Sequence, residues 1–338
     1  MPEKLPTIKE IAKRLNISPS SVSRALHNHP SIGISTKEKV VSLAKELGYE
    51  PNQTAIFFQK RKTFTIGVIL PKLSEAFFSE AISGIEDFAA KHKYTVLVGQ
   101  SHNNFEKEKK IIETMKDHRV DGIIVSVAKN TFQYSHFEAL KKYNIPVVFF
   151  DCIPDTPNID AVECDMIDGT VKAINFLIKK KHKVIGFING PAKLPASQQR
   201  LQGYKIAMQK NRLKFDPQLI VNTDLTPAGT EQAMFELLAY KRKPSAIVAF
   251  NDYVTLDAVQ YARSKGIIVN RDIFFVSYAN LPVNHYMAYP PLASIEQFPY
   301  EQGEKAMEIL LNIIQEKTMQ PVKAIIEPQL MLNNQLVL

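Results

Sequence analysis

Cysteine is scarce in this chain. Its 338 residues hold two, Cys152 and Cys164, with no CxxC spacing. That excludes a disulfide framework and a cysteine-based zinc site, and it fits a reducing compartment. The eight histidines are scattered rather than paired with carboxylates at ligand spacing, so no metal is expected. GxGxxG, GxxxxGK, GxSxG and HExxH are all missing, so neither a catalytic residue nor a cofactor is expected. No apolar run is long enough to span a bilayer, and the opening stretch MPEKLPTIKE lacks the apolar core of a secretory signal. The expected setting is the cytoplasm, with no membrane partner.

What is present is an ordinary globular composition, 45% hydrophobic and 22% charged, long enough for two or three domain cores. The net charge of +8 is unevenly spread: residues 1–62 carry eleven Lys or Arg against five Glu, a local +6, which leaves only +2 for the rest. A small basic unit ahead of a near-neutral one is the electrostatic footprint of a phosphate-backbone binder.

The basic unit reads as three short helices. Thr7 and Glu10 form a capping box, and Ile8, Ile11, Ala12 and Leu15 follow at the spacing of one buried stripe. Asn16 suits a left-handed turn, and Ser18 followed by Pro19 starts a second helix with Val22 and Leu26 facing inward. A second capping box, Ser35 with Glu38, predicts a third helix that buries Val40, Leu43, Ala44 and Leu47 and stops at Gly48. Two helices joined by so short a turn make a helix-turn-helix, whose second member presents its first residues to the DNA major groove. Small hydroxyls in ISPSSVSRAL let the backbone approach DNA closely, and Arg24 reaches for a guanine edge.

From Phe64 onward, short β-rich runs (TIGVILP, TVLVGQS, GIIVSV, PVVFFD, VIGFING, LIVNTD, AIVAFND, IFFVSYA) alternate with amphipathic helices and read as buried parallel strands. With LASIEQ and VKAIIEP they are too many for one open sheet, and the pattern restarts near Val162, which predicts two doubly wound α/β lobes. Ligands in such sheets bind at the carboxyl ends of strands, making Ser74, Phe77, Phe78, Ser101, Asp151, Asn251, Asp252 and Asn280 the candidates, with His102 read as a surface histidine.

TIKEIAKRLNISPSSVSRALHN followed by STKEKVVSLAKELGYEPN resembles the DNA-binding headpiece of the lactose/galactose repressor family of bacterial transcription regulators. The resemblance implies a small all-α helix-turn-helix headpiece over 1–51, a hinge helix and linker over 52–62, and an effector-binding and dimerisation domain over 63–338. That domain is implied to be α/β, two doubly wound parallel-sheet lobes like the periplasmic sugar-binding proteins. It also implies a homodimer on an operator in double-stranded DNA. Pro19 and Ser20 take the first recognition-helix positions, Arg24 the later base-reading position, and Thr7, Ser18, Ser21 and Ser23 positions beside phosphates. Pro19 departs from the donor-bearing side chains usual there. Asn52 would cap the hinge helix and Phe58 would stand in for the family's leucine wedge between base steps.

In the effector domain, Arg200 in RLQGY matches the family arginine that clamps the effector, and Phe77 and Phe78 align with the pocket aromatics. Where an aspartate often accepts sugar hydroxyls, SYAN offers Ala279 and Asn280; where an aromatic often closes the pocket, NTDLT offers Leu225. An arginine without that aspartate keeps an excess of donors, so the implied effector is a small sugar-like molecule, leaning to a sugar acid or sugar phosphate. Two other readings share the sheets: an α/β enzyme acting on a sugar with an appended DNA-binding module, and a secreted solute-binding protein. The missing catalytic motifs weigh against the first and the missing signal against the second.

Overall fold

The computed structural model describes residues 6–50, 62–317 and 320–333. The chain divides into two compact units, Met1–Thr63 and Phe64–Leu338.

In the first unit, helices α1 (Ile8–Leu15), α2 (Pro19–Leu26) and α3 (Ile34–Glu46) enclose one core of Ile11, Ala12, Val22, Ala25, Val40 and Ala44. The Thr7 hydroxyl accepts from the Glu10 amide at 3.4 Å, but the Glu10 carboxylate turns to Arg14 at 3.1 Å, so only half of the predicted box forms. Asn16 closes α1 in the left-handed region at φ 51°. Ser18 caps α2 by accepting from the Ser21 amide at 3.1 Å, with Pro19 at the first helical position. Ala25 rather than Leu26 completes the buried stripe of α2. The second capping box is a correction. Gly33 is the N-cap of α3 and no side chain caps it, because the helix begins one residue ahead of Ser35.

The second unit holds two six-stranded sheets. The first has the order β11-β5-β4-β3-β1-β2, from β1 (Thr65–Leu70), β2 (Thr95–Gln100), β3 (Gly122–Val125), β4 (Val147–Phe150), β5 (Asp160–Cys164) and β11 (Lys323–Ile326), and every pairing is parallel. The second has the order β12-β10-β9-β8-β6-β7, from β6 (Ile185–Asn189), β7 (Ile220–Asn222), β8 (Ala246–Ala249), β9 (Phe274–Tyr278), β10 (Ala293–Glu296) and β12 (Gln329–Leu332). Here β12 runs antiparallel to β10, so the second sheet is not wholly parallel. Two expectations change. Val162 lies inside β5 of the first lobe, and the second lobe starts after it. TVLVGQS and LIVNTD become the sheet edges β2 and β7, half-exposed rather than buried, because each has a neighbour on one side only.

Helices cover both faces of each sheet. On the first, α4 (Ala76–Lys91) lies against one face and α5 (Phe105–Asp117) against the other. On the second, α6 (Met166–Lys179) and α7 (Pro195–Lys210) cover one face, α8 (Pro227–Ala239) and α9 (Asp252–Ser264) the other. The chain then returns: α10 (Pro299–Ile314) packs beside α4 on the first lobe, burying Met307 and Leu310 with Ile85. Three crossings therefore join the lobes, after β5, after β10 and after β11, and the first and third are tied by the Asp165 amide donating to the Ile326 carbonyl at 3.1 Å.

The α4–α10 contact is made through glycines. A Cβ on Gly303 would collide with the Ala81 carbonyl oxygen, and one on Gly84 with that of Tyr300. Backbone is what stands in the way, and backbone cannot rotate aside as a side chain does. Gly303→Ala should lower the stability of the second unit by about 1–3 kcal/mol despite alanine's better helix propensity; a urea midpoint equal to the parent's would contradict this contact.

Candidate effector cleft and DNA-reading face

In each sheet the strand order reverses between two neighbours, β1 and β3 in the first lobe and β6 and β8 in the second, and such switch points open a crevice at the strand ends. The crevices face each other and form one inter-lobe cleft of about 450 Å³. Ser74, Phe77, Phe78, Asp151, Arg200 and Asn251 all line it, as does Leu225.

Arg200 faces inward because it shares the buried stripe of α7 with Ser197, Gly203 and Tyr204. It is 4% exposed, and its guanidinium carbon lies 4.1 Å from the Phe250 ring centre and 4.4 Å from that of Tyr278. Two rings at these distances stabilise the charge and fix the plane of the fork. Burial still lowers its pKa, opposed by Tyr278 and Asp151, and Nε and Nη1 have no hydrogen-bond partner within the protein. A buried guanidinium with two free donors is a binding group awaiting acceptors.

Asp151 follows β4 in the left-handed region at φ 56°. It accepts from the Ser126 hydroxyl at 3.0 Å, and crowding by protein pushes its carboxyl up to about 6, against the pull of Ser126 and Arg200. It remains open to cleft water. Its presence revises the view of Arg200 as a donor without a nearby aspartate. Phe78 is core as well as lining: it is 5% exposed and meets Phe150 edge-on at 6.5 Å, while Phe77 packs edge-on against it at 5.3 Å. Asn251 caps α9 with its carbonyl oxygen, accepting from the Val254 amide at 2.9 Å, which leaves the amide nitrogen for a ligand.

Three candidates do not line this cleft. Ser101 is fully buried and directs its hydroxyl at the Leu70 carbonyl. Asp252 is also fully buried: its carboxylate accepts from Ser277, Ser294 and the Leu281 amide, holding β9, β10 and the following turn together. Asn280 donates to Glu296 at 2.9 Å outside the cleft. Each stands one residue or more away from a position that does line it, and strand-end reasoning cannot see which way a side chain turns. His102 bonds to Gln100 at the rim, in keeping with a surface histidine. Lining residues that sequence reasoning missed include Phe250, Tyr253, Asp224, Lys129 and Gln297. Phe250 and Tyr253 flank the Asn251 that was found, and their adjacency was the available signal.

Behind Lys129 a buried carboxylate shapes the wall. Glu108 of α5 accepts from the Ala128 amide at 2.6 Å, the Thr131 hydroxyl at 2.8 Å and His136 Nε2 at 3.1 Å, clamping the segment after β3. Burial pushes both cysteine thiols up to about 12, so neither supplies a thiolate at neutral pH.

In the first unit, Ser18, Pro19, Ser20 and Arg24 are exposed, as is Thr7, while Ser21 and Ser23 are half-buried. The hydroxyls form a local cluster, Ser18 to Ser20 at 2.8 Å and to Ser21 at 2.9 Å, so part of the serine content serves the helix start itself. Asn52 and Phe58 lie outside the described residues.

A helix-turn-helix unit ahead of a two-lobed α/β unit with a strand-end cleft defines the class of bacterial DNA-binding regulators. The chain belongs to the lacI family of bacterial regulatory proteins: residues 7–52 match that family, and residues 66–318 match the periplasmic binding protein domain. It is 33% identical over 313 residues to catabolite control protein A of Priestia megaterium, covering 92% of this chain and 93% of that protein. It is 32% identical over 309 residues to the HTH-type transcriptional repressor CytR of Escherichia coli K12, covering 91% and 90%. The structure of the transcriptional regulator CelR–cellobiose complex superposes with a TM-score of 0.74 at 25% identity, over 97% of this chain and 98% of that one. The fold of the lac repressor dimer bound to operator and the anti-inducer ONPF agrees at a TM-score of 0.82 and 23% identity, over 97% and 98%. These are regulators, not enzymes, which sets aside the enzyme reading. Among the described residues, no helix is long and apolar enough to cross a membrane.

Asp151 yields a pH prediction. A carboxyl whose folded pKa is raised adds stability below its unfolded pKa and loses it as pH rises through about 6. Asp151→Asn, which tolerates the left-handed backbone, should therefore melt slightly above the parent at pH 7.5, with the gap closing toward pH 4. A gap that widens on acidification would reverse the sign assigned here.

Proposed function

We infer that the protein is a cytoplasmic transcriptional repressor that reads an operator as a homodimer and responds to a small sugar-type effector held in the inter-lobe cleft. The observation that carries this reading is Arg200, buried between two rings with Nε and Nη1 unpartnered, in a cleft formed by both lobes of a lacI-family chain. Its free donors call for a pair of acceptors, which a carboxylate or phosphate supplies in one plane. Asp151 supplies the complementary acceptor for sugar hydroxyls, and Phe77 and Tyr253 add aromatic surface to the lining. The preferred effector is thus a sugar acid or sugar phosphate with free hydroxyls. The CelR–cellobiose complex supports a carbohydrate as the class of ligand.

The effector acts by favouring one arrangement of the lobes over the other, since a ligand shifts an equilibrium only by its differential affinity. Calorimetry with glucose, glucuronate and glucose 6-phosphate tests the cleft. Arg200→Ala should lose effector binding and its influence on the operator, while operator affinity without effector stays within a few-fold of the parent. Undiminished binding by the variant, or glucose bound more tightly than both anions, would overturn the assignment.

On the DNA side, Thr7, Ser18, Ser21 and Ser23 are proposed to face phosphates, with Pro19, Ser20 and Arg24 toward the bases and Asn52 and Phe58 in the hinge. Arg24→Ala should cost about 1–3 kcal/mol on the operator and relax selectivity at one base pair. Equal losses on operator and random duplex, measured by fluorescence anisotropy, would assign Arg24 to the backbone instead.

A further inference from the structure

A second cavity, of about 290 Å³, opens on the other side of Arg200, between α7 and the crossings that join the lobes. It shares Asp151, Pro195, Ala196, Arg200 and Gln297 with the effector cleft. Its remaining wall is of different chemistry. Where the effector cleft has four aromatic rings, the lining of this cavity has none among the described residues and is rich in primary amides: Gln198, Gln199, Gln202, Gln297 and Gln302.

Two of its buried groups lack partners. Gln302 is 1% exposed; its Nε2 donates to the Gln297 carbonyl at 2.7 Å, and its Oε1 accepts from nothing. The Gln297 carbonyl sets the orientation of that amide, since the reversed amide would bring oxygen against oxygen. Arg200 supplies the second group through Nε and Nη1. Buried polar atoms left without partners are costly, and their concentration around one cavity marks a place where a ligand completes the network.

The charges narrow the ligand. Lys323 is paired with Glu163 at 2.9 Å, and Asp155 adds a further carboxylate to the lining. Arg200 brings one positive charge to this wall, outweighed by the carboxylates of Asp151, Asp155 and Glu163, so an added anion is disfavoured. Without rings in the wall, a flat aromatic ligand would find nothing to stack on. Unpartnered donors beside an unpartnered acceptor suit hydroxyl groups, which do both.

We propose that this rear cavity is a second small-molecule site, for a neutral polyhydroxylated ligand, separate from the effector cleft and adjoining it through Arg200. It goes beyond the effector reading and shares the Arg200 donors with it, while the Gln302 acceptor lines this cavity and not the effector cleft. A ligand here touches residues of both lobes and of the crossings between them, so its occupancy and that of the effector cleft are linked reciprocally.

Saturation-transfer NMR on the full-length protein with xylitol and myo-inositol as probes tests it, with inorganic phosphate followed by phosphorus line broadening. Transfer to the polyols is expected, lost in Gln302→Leu and in Gln198→Trp, whose indole would fill the mouth, and kept in Tyr253→Ala, which alters only the effector cleft. If Gln302→Leu does not fold, Gln198→Trp decides alone, since Gln198 is exposed at the rim. No transfer at millimolar polyol, transfer unchanged in the two rear variants, transfer lost in Tyr253→Ala, or phosphate broadening that Gln198→Trp abolishes would each overturn the proposal.

Discussion

A guanidinium clasped between Phe250 and Tyr278 sets the terms for the second unit. Holding a cation there requires the two rings to come from the ends of β8 and β9, and it requires α7 to present its inner stripe to the sheet. The negative faces of the rings attract the charge but leave Nε and Nη1 without acceptors, so the position is stable in place and incomplete in bonding. Asp151 approaches from the other lobe as a partial counter-charge. Each lobe thus supplies what the other lacks, and a molecule in the cleft between them meets both.

The two lobes solve one packing problem in parallel ways. Each sheet reverses its strand order at the same relative position, and each brings a pair of helices into close contact where a side chain would not fit. In the second lobe, a Cβ on Gly203 of α7 would meet the Ile167 carbonyl of α6, just as Gly303 and Gly84 exclude a side chain in the first.

Much of this was legible in the residues. Capping at Thr7 and Ser18, the left-handed Asn16 and most strands follow from local chemistry, because short-range hydrogen bonds and apolar runs are written in consecutive positions. The strands that escaped were β5 and β12. DAVEC is a mix of charge and small apolar residues, and QLML has little buried surface, so neither carries a pattern until a neighbour pairs with it. The cleft was legible at Arg200, Asp151 and Asn251 but not in its boundaries. Asp252 and Asn251 are adjacent in sequence, yet one knits the core and the other faces the ligand space, a distinction made by the helix start between them rather than by composition. Glu108 was silent for a related reason: its partners lie 20 to 28 residues away.

The return of α10 and β11 to the first lobe bears on how the chain is made. The core under α4 is not closed until Met307 and Leu310 arrive, and the outer edge of β5 waits for Lys323–Ile326. On the ribosome, the strands of the first lobe emerge early and stay incomplete while most of the second lobe is synthesised. Long-range contacts of this kind are slow to form and expose apolar surface in the interval. Both lobes therefore wait on the same carboxyl-terminal stretch, since β11 completes the first sheet and β12, a few residues later, adds the outer edge of the second.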